Sequence, residues 1–497
     1  MAWLHTWSGL VVGWVLFAIF VTGTASYYRT DISRWMRPEL SDAAFDPAAA
    51  ATRAGAFLQR TMPDAAGWSV RLPNAENPAV EVYWWRNPAG PFHTALLDPA
   101  TGERSHARET RGGDFLYRFH FELSLPPIWG RWIVSACAMI LLIALISGIV
   151  THRRIFADFF TFRRDRSAQR GWLDAHNVTG VLALPFHLMI VYTGLVTLAP
   201  MLMPWGVRAA YGGDELRYYA EAGLMTPGRA PTGRPGVTMP LGEIVARAIE
   251  STGETPEVLT VSLPGDAGAT ATAYYAEPHG LAHLHPQIAY AAGTGVEIAR
   301  VGEAGPATRT GAVMAGLHEA HFAAAPLRLL FFLCGAMGAA TVATGLVLWT
   351  VARAPKGAAS TGLGLRLVRV LNIGTVAGLP FGLAAYFLAN RLLPAGLDAR
   401  ADWEVRGFFA AWALVAIASA LYPRAWAWPA ALGSAAVGFL AVPVVDALTV
   451  ADPRFLGFDA AMAILGLLLL LAARFAARRR AGGPYRAKAG LHRTAEA

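Results

Sequence analysis

Two cysteines in 497 residues, Cys137 and Cys334, stand far apart within apolar runs, so the chain has no disulfide framework and no CxxC redox motif. They read as small core residues. Charge is scarce as well: Asp, Glu, Lys and Arg make up 15% of the chain against 55% apolar residues, and the mean hydropathy is +0.38. That balance excludes an ordinary soluble protein of this size. No GxGxxG follows a strand-like run and no Walker loop occurs, which removes the usual dinucleotide and nucleoside triphosphate sites.

What is present is apolar length. Eight stretches suffice to cross roughly 30 Å of hydrocarbon at about 1.5 Å per residue: residues 4–27, 131–151, 177–200, 327–351, 370–393, 406–423, 426–446 and 456–475. Basic residues follow alternate spans: Arg153, Arg154, Arg163, Arg164, Arg166 and Arg170 after the second; Arg353, Lys356, Arg366 and Arg369 after the fourth; Arg474, Arg478, Arg479, Arg480, Arg486 and Lys488 after the last. The positive-inside rule makes those loops cytoplasmic and puts both termini inside, as in a multi-pass protein of a bacterial inner membrane. The net charge of +8 then reflects this bias and attraction to anionic membrane lipids, and it calls for no nucleic-acid partner. No Lys or Arg precedes the first apolar run, which exceeds a signal h-region, so it reads as a retained helix.

The spans delimit a first helix (1–28), an external segment (29–130), a second helix (131–152), a third (172–200), a second external segment (201–326), a fourth helix (327–352), a four-span extension (366–477) and a basic cytoplasmic tail (478–497). Each external segment reads as α+β. The first has a helix over 47–60, strands at 68–72, 80–85 and 93–97, and a turn at Asp98-Pro-Ala-Thr-Gly102; the second has a helix over 241–251, strands at 258–263, 271–276 and 288–291, and a turn at Ala292-Gly-Thr-Gly295.

Histidine is where the spans depart from plain hydrocarbon. His5, Gly9 and Thr22-Gly23 of the first span recur as His176, Gly180 and Thr193-Gly194 of the third; His120, Arg131, Cys137 and Ser147-Gly148 recur as His318, Arg328, Cys334 and Thr344-Gly345 with a one-residue shift. The first 352 residues thus read as a tandem duplication of helix, external domain, helix. An ionisable group within a span costs a few kcal/mol on insertion scales and calls for a reason. Two facing imidazoles can clamp a haem iron. His5 with His176 forms the expected cytoplasmic-side pair, Gly9 and Gly180 giving the macrocycle room beside the backbone; the plainer reading is a helix-end histidine capped or solvated at the interface. His120 with His318 forms the external pair, although an unbroken helix from His318 to Thr350 would be roughly 48 Å long and would lift that haem to the outer interface. His187, eleven residues beyond His176, lies on nearly the same helical face. It reads either as a ligand, with a partner such as His321, or as an interhelical hydrogen-bonding group. His318-Glu-Ala-His321 lacks the HExxH spacing of zinc proteases, so one of its histidines reads as a haem ligand and the other as its neighbour or alternate. The His279, His283, His285 cluster reads as a metal site, a substrate-facing group or, most simply, a solvated loop.

These motifs together resemble the PepSY-associated transmembrane family, which includes inner-membrane ferric-siderophore reductases. The resemblance rests on LHTWSGLVVG at Leu4 to Gly13, LYRFHFEL at Leu116 to Leu123, LDAHNVTGVLALP at Leu173 to Pro185, GLHEAHF at Gly316 to Phe322, the LDPATGE turn, and the TG or SG pairs late in each span. It covers about the first 350 residues. It implies the same four histidines as axial ligands of two b-type haems, hence electron transfer to a ferric siderophore or other ferric chelate in iron uptake. The chain has no flavin or nicotinamide domain of its own, so a cytoplasmic reductase or membrane quinol would be the donor. Two other classes compete: a peptidase-regulatory or binding protein acting through its PepSY domains, and a chelate permease, against which the last spans offer few polar groups beyond Asn372, Asn390 and Asp446.

Overall fold

The computed structural model describes residues 2–40, 45–74, 77–87, 90–151, 167–277, 280–301, 304–354, 362–421 and 426–481. The basic residues at 153–166, 356 and 486–488, and His279, lie outside these ranges. Among the described residues, seven helical spans are long and apolar enough to cross a membrane: Trp3–Ser26, Pro127–Val150, Ala325–Ala352, Leu363–Leu392, Arg400–Leu421, Ala427–Thr449 and Pro453–Arg478. An eighth exists if Ala168–Leu182 and Leu184–Thr197, bent by 66° to one another, count as one. The chain is a multi-pass membrane protein, mostly helical, with one antiparallel sheet.

That bend differs from the straight third span expected from hydropathy. Ala183 separates the two helices and Pro185 stands in the first turn of the second. Proline has no N–H to give the carbonyl four residues back and its ring crowds that carbonyl, so an apolar run that hydropathy reads as continuous turns a corner. A second break occurs where the helix Pro306–Glu319 ends. Ala320 adopts a left-handed conformation (φ 58°) and a new helix begins at Ala325. The long continuous helix from His318 to Thr350 therefore does not exist, and His318 belongs to a short helix packed against Leu184–Thr197.

The strands of both non-membrane segments form a single seven-stranded antiparallel sheet, in the order β3 (His93–Leu97), β2 (Val80–Trp85), β1 (Gly67–Arg71), β4 (Val258–Ser262), β5 (Thr270–Tyr274), β6 (Gln287–Ala291), β7 (Glu297–Val301). Strands β1 and β4 make the seam, with Ser69 opposite Thr260 and their hydroxyls 3.1 Å apart. Alternation explains the layer: β2 buries every second residue, the pattern of a sheet with one covered face. Helices Pro47–Thr61 and Leu241–Thr252 cover it, packing Ala54, Leu58, Ile244 and Ala248 onto Trp68, Val82, Leu259 and Ala271. Strand β7 lies beyond the six strands expected from the alternation of the sequence.

The extension after residue 362 is fastened to the rest by buried polar groups. Asn372 accepts from Trp14 Nε1 (2.8 Å) and donates to Leu346 O (2.9 Å). Arg391 pairs with Asp446 at 2.6 Å and donates to Trp35 O, while Arg400 pairs with Glu404 and donates to Glu109 O. Buried charges need partners of this kind.

Candidate functional site

Four histidines share one local design. His120 Nδ1 lies 2.8 Å from Ile19 O, His318 Nδ1 2.9 Å from Ile190 O, His176 Nδ1 2.8 Å from Thr341 O and His5 Nδ1 3.2 Å from Ala144 O. In each case the accepting carbonyl stands three residues before the Ser or Thr of an S/T-G pair: Thr22-Gly23, Thr193-Gly194, Thr344-Gly345 and Ser147-Gly148. The hydroxyl of each pair bonds back to its own helix, and the glycine that follows lets the imidazole approach the backbone. A Cβ on Gly23 would sit 2.5 Å from the His120 ring, one on Gly194 2.7 Å from His318, one on Gly345 3.2 Å from His176 and one on Gly148 3.8 Å from His5. The sequence showed these S/T-G pairs as recurring marks. Their work is to seat a histidine from another helix.

A carbonyl only accepts, so Nδ1 carries the hydrogen in each ring and, in the neutral imidazole, Nε2 carries the lone pair. Metal-ligating histidines are held in this way, with the other ring nitrogen donating to a carbonyl or carboxylate. For two of the four, burial favours the neutral form further. It lowers the His120 imidazole, and it lowers His318 to about 4 with His120 beside it adding to the effect.

The fold brings the expected partners together. The rings of His5 and His176 lie 6.4 Å apart, centre to centre, at 72°, and those of His120 and His318 lie 6.0 Å apart at 29°. Two imidazoles sharing one transition-metal ion at about 2 Å from each nitrogen have ring centres roughly 6 Å apart. The fit is therefore good in both donor type and spacing. Gly9 and Gly180 do not seat these rings: a Cβ on Gly9 meets nothing within 4 Å, and one on Gly180 meets only Thr341 Cγ2 at 3.5 Å.

His187 is placed differently. It is buried on Leu184–Thr197, its Nε2 lies 3.2 Å from Cys334 O, and its ring meets Phe20 edge-on at 5.9 Å. The nitrogen engaged is the opposite one from that in the other four. His321 is drawn elsewhere, into a group with Glu277 and His283 whose ligand atoms lie within 4.8 Å of one another. Burial alone would raise the Glu277 carboxyl, but hydrogen bonds from His283 and His321 outweigh it and hold the group at about 2, and the same contact raises His283.

A cavity of about 1730 Å³ joins these two places, running from Ala138 and Leu141 past Gly23, His120, Gly194 and His318 to Glu277, His283 and His321. Arg131 and Arg328, corresponding residues in the sequence pattern, line it. Arg131 pairs with Glu122 at 2.7 Å and Arg328 with Asp31 at 3.5 Å, and the buried Nε of each has no hydrogen-bond partner among the described residues.

A multi-pass membrane protein with two facing histidine pairs and an antiparallel sheet covered by two helices is the class these features define. The chain belongs to the family of the PepSY-associated TM region, whose model matches residues 2–352. It is also similar to an uncharacterized protein of Pseudomonas aeruginosa, at 28% identity over 332 residues, covering 63% of this chain and 80% of the relative.

Proposed function

We propose that this chain is a transmembrane di-haem b-type oxidoreductase of the inner membrane, passing electrons from a cytoplasmic reductase or quinol to a ferric chelate such as a siderophore on the far side. One observation carries the reading: the four histidines duplicated in the sequence meet as two pairs, each ring fixed through Nδ1–H so that Nε2 is the donor nitrogen. His5 and His176 would hold one haem and His120 and His318 the other, and haem, when bound, supplies one-electron redox chemistry.

The chain's own residues do the rest. Gly23, Gly148, Gly194 and Gly345 let the rings lie against neighbouring helices, and the carbonyls of residues 19, 144, 190 and 341 fix their orientation. Arg131 and Arg328 line the cavity, and their positive charge suits an anionic group there, whether a propionate or the carboxylates and hydroxamates of a chelate. The cavity exceeds the roughly 300–1,000 Å³ of a small-molecule pocket, which leaves space for a chelate beside His120 and His318. Reduction weakens a hard ferric chelate, because Fe(II) binds oxygen donors less firmly, and so frees the metal.

The test is a reduced-minus-oxidised absorption spectrum with haem quantification. Purified full-length protein is expected to carry two haems per chain, with His5→Ala or His176→Ala removing one and His120→Ala or His318→Ala the other. A protein with no Soret band after haem-supplemented expression would overturn the reading, and it would favour a binding role for the sheet domain.

A further inference from the structure

The group at the mouth of the cavity has too many imidazole nitrogens around one carboxylate for a simple ion pair. His283 Nδ1 contacts Glu277 Oε1, His321 Nδ1 lies 3.2 Å from the same oxygen and His285 Nε2 lies 3.4 Å from it. Of these, His285 already gives its Nδ1 position to Tyr275 O at 3.2 Å. A neutral His285 therefore turns a lone pair toward the carboxylate. His321 repeats the problem: its Nδ1 faces Glu277 while its Nε2 lies 3.3 Å from Glu319 Oε2, and a neutral ring has one N–H for two carboxylates. Protonation relieves such clashes, and so does a cation placed among the lone pairs.

The scaffold around the group is specifically built. Glu277 follows β5, His283 precedes β6 and His321 follows the helix Pro306–Glu319, three segments that the fold alone brings together. The 281–283 loop presses onto that helix at Gly316, where a Cβ would fall 1.8 Å from Leu281 O, and His283 N donates to Ala312 O at 2.9 Å. Ala320, in the left-handed region at φ 58°, turns the chain so that His321 comes back toward His283, with ring centres 5.1 Å apart. The corresponding place after His120 holds Leu123, so this group has no counterpart in the first half of the chain.

We infer that Glu277, His283 and His321 bind a divalent first-row transition-metal ion, with His285 and Glu319 flanking the site. Two imidazoles and one carboxylate form the mixed N/O donor set that suits Fe(II), Co(II) or Zn(II), with positions left for water or a ligand. Metal binding here stands independently of the haem reading. Under the proposed function, the site lies where ferrous ion leaving a reduced chelate would first meet nitrogen ligands, because it lines the same cavity as His318.

The probe is Co(II), titrated into chelator-stripped full-length protein in detergent and followed by equilibrium dialysis and visible d–d absorption, whatever the haem content. One tightly bound Co(II) per chain is expected. Outer partners of a metal site are worth about 10–100-fold in affinity, so His283→Ala with His321→Ala should weaken binding by more than roughly 100-fold while leaving any Soret band unchanged. Carbethoxylation read by mass spectrometry needs no variant: Co(II) should protect His283 and His321 and leave the exposed His93 reactive. Absence of stoichiometric Co(II), equal binding by the double variant, or no protection would each overturn the proposal. A missing Soret band together with retained Co(II) binding would overturn the haem reading alone.

Discussion

A glycine and a carbonyl decide what each key histidine can do. With the N–H of His120 committed to Ile19 O and the ring lying on Gly23, the imidazole has one orientation and one donor nitrogen. Because a Cβ on Gly23 or Gly194 would enter the ring of His120 or His318, Gly23→Ala and Gly194→Ala should displace that imidazole while the chain stays folded. The expected outcome is roughly half the wild-type haem per chain with the His5–His176 signal retained, read from the same difference spectrum. Full haem content in both variants would separate these glycines from ligation. This contact was half visible in the sequence. The recurrence of Thr-Gly and Ser-Gly marked the positions, but each acceptor carbonyl is about one hundred residues or more from its histidine, and no local pattern announces which helix it faces. His321 is a clearer case. Its sequence neighbour His318 made it look like a second haem ligand, and one left-handed residue, Ala320, sends it to Glu277 instead.

At the level of elements, breaks matter more than lengths. Hydropathy found the apolar runs because burial in hydrocarbon requires them, yet it is blind to a bend when both sides of the break are equally apolar. The 66° corner at Ala183 separates the helix that carries His176 from the helix that receives His318, so each arm serves a different pair. Pro185→Ala restores the missing N–H and should straighten the corner. Spin labels at residues 172 and 192 are then expected to move apart by roughly 5 Å, as two arms of about 15 Å each open toward a line. An unchanged distance would show that packing against neighbouring helices, and not the proline, holds the bend.

For the whole molecule, the extension after residue 362 is held to the N-terminal part through charges that water never reaches. The side chains of Arg400 and Glu404 are both 0% exposed, and Asn390, Thr110 and Glu109 O complete their hydrogen bonding. Removing one member of a buried pair strands the other charge, at a cost of about 3–5 kcal/mol. Arg400→Met should therefore lower thermal stability in detergent by that order, and Glu404→Gln, which strands the Arg400 charge and turns one of the two accepting oxygens into a donor, by a similar amount. Equal melting of Arg400→Met and wild type would mean that this buried pair is not what holds the extension in place.

The sequence by itself determined that this protein lives in a membrane, because hydrocarbon admits only long apolar runs and the chain supplies them repeatedly. It also determined which histidines belong together and where six of the seven strands run, since internal correspondence and period-two alternation are written along the chain. The tertiary structure alone decided which backbone carbonyl fixes each imidazole, where the spans turn, and that β1 pairs with β4 so that two segments nearly two hundred residues apart share one sheet. It also gathered Glu277, His283 and His321 into one group. The physical reason is common to all of these. Propensity and hydropathy are properties of neighbours in sequence, whereas a hydrogen bond to a distant carbonyl, a strand seam or a ligand cluster exists only once unrelated segments have packed.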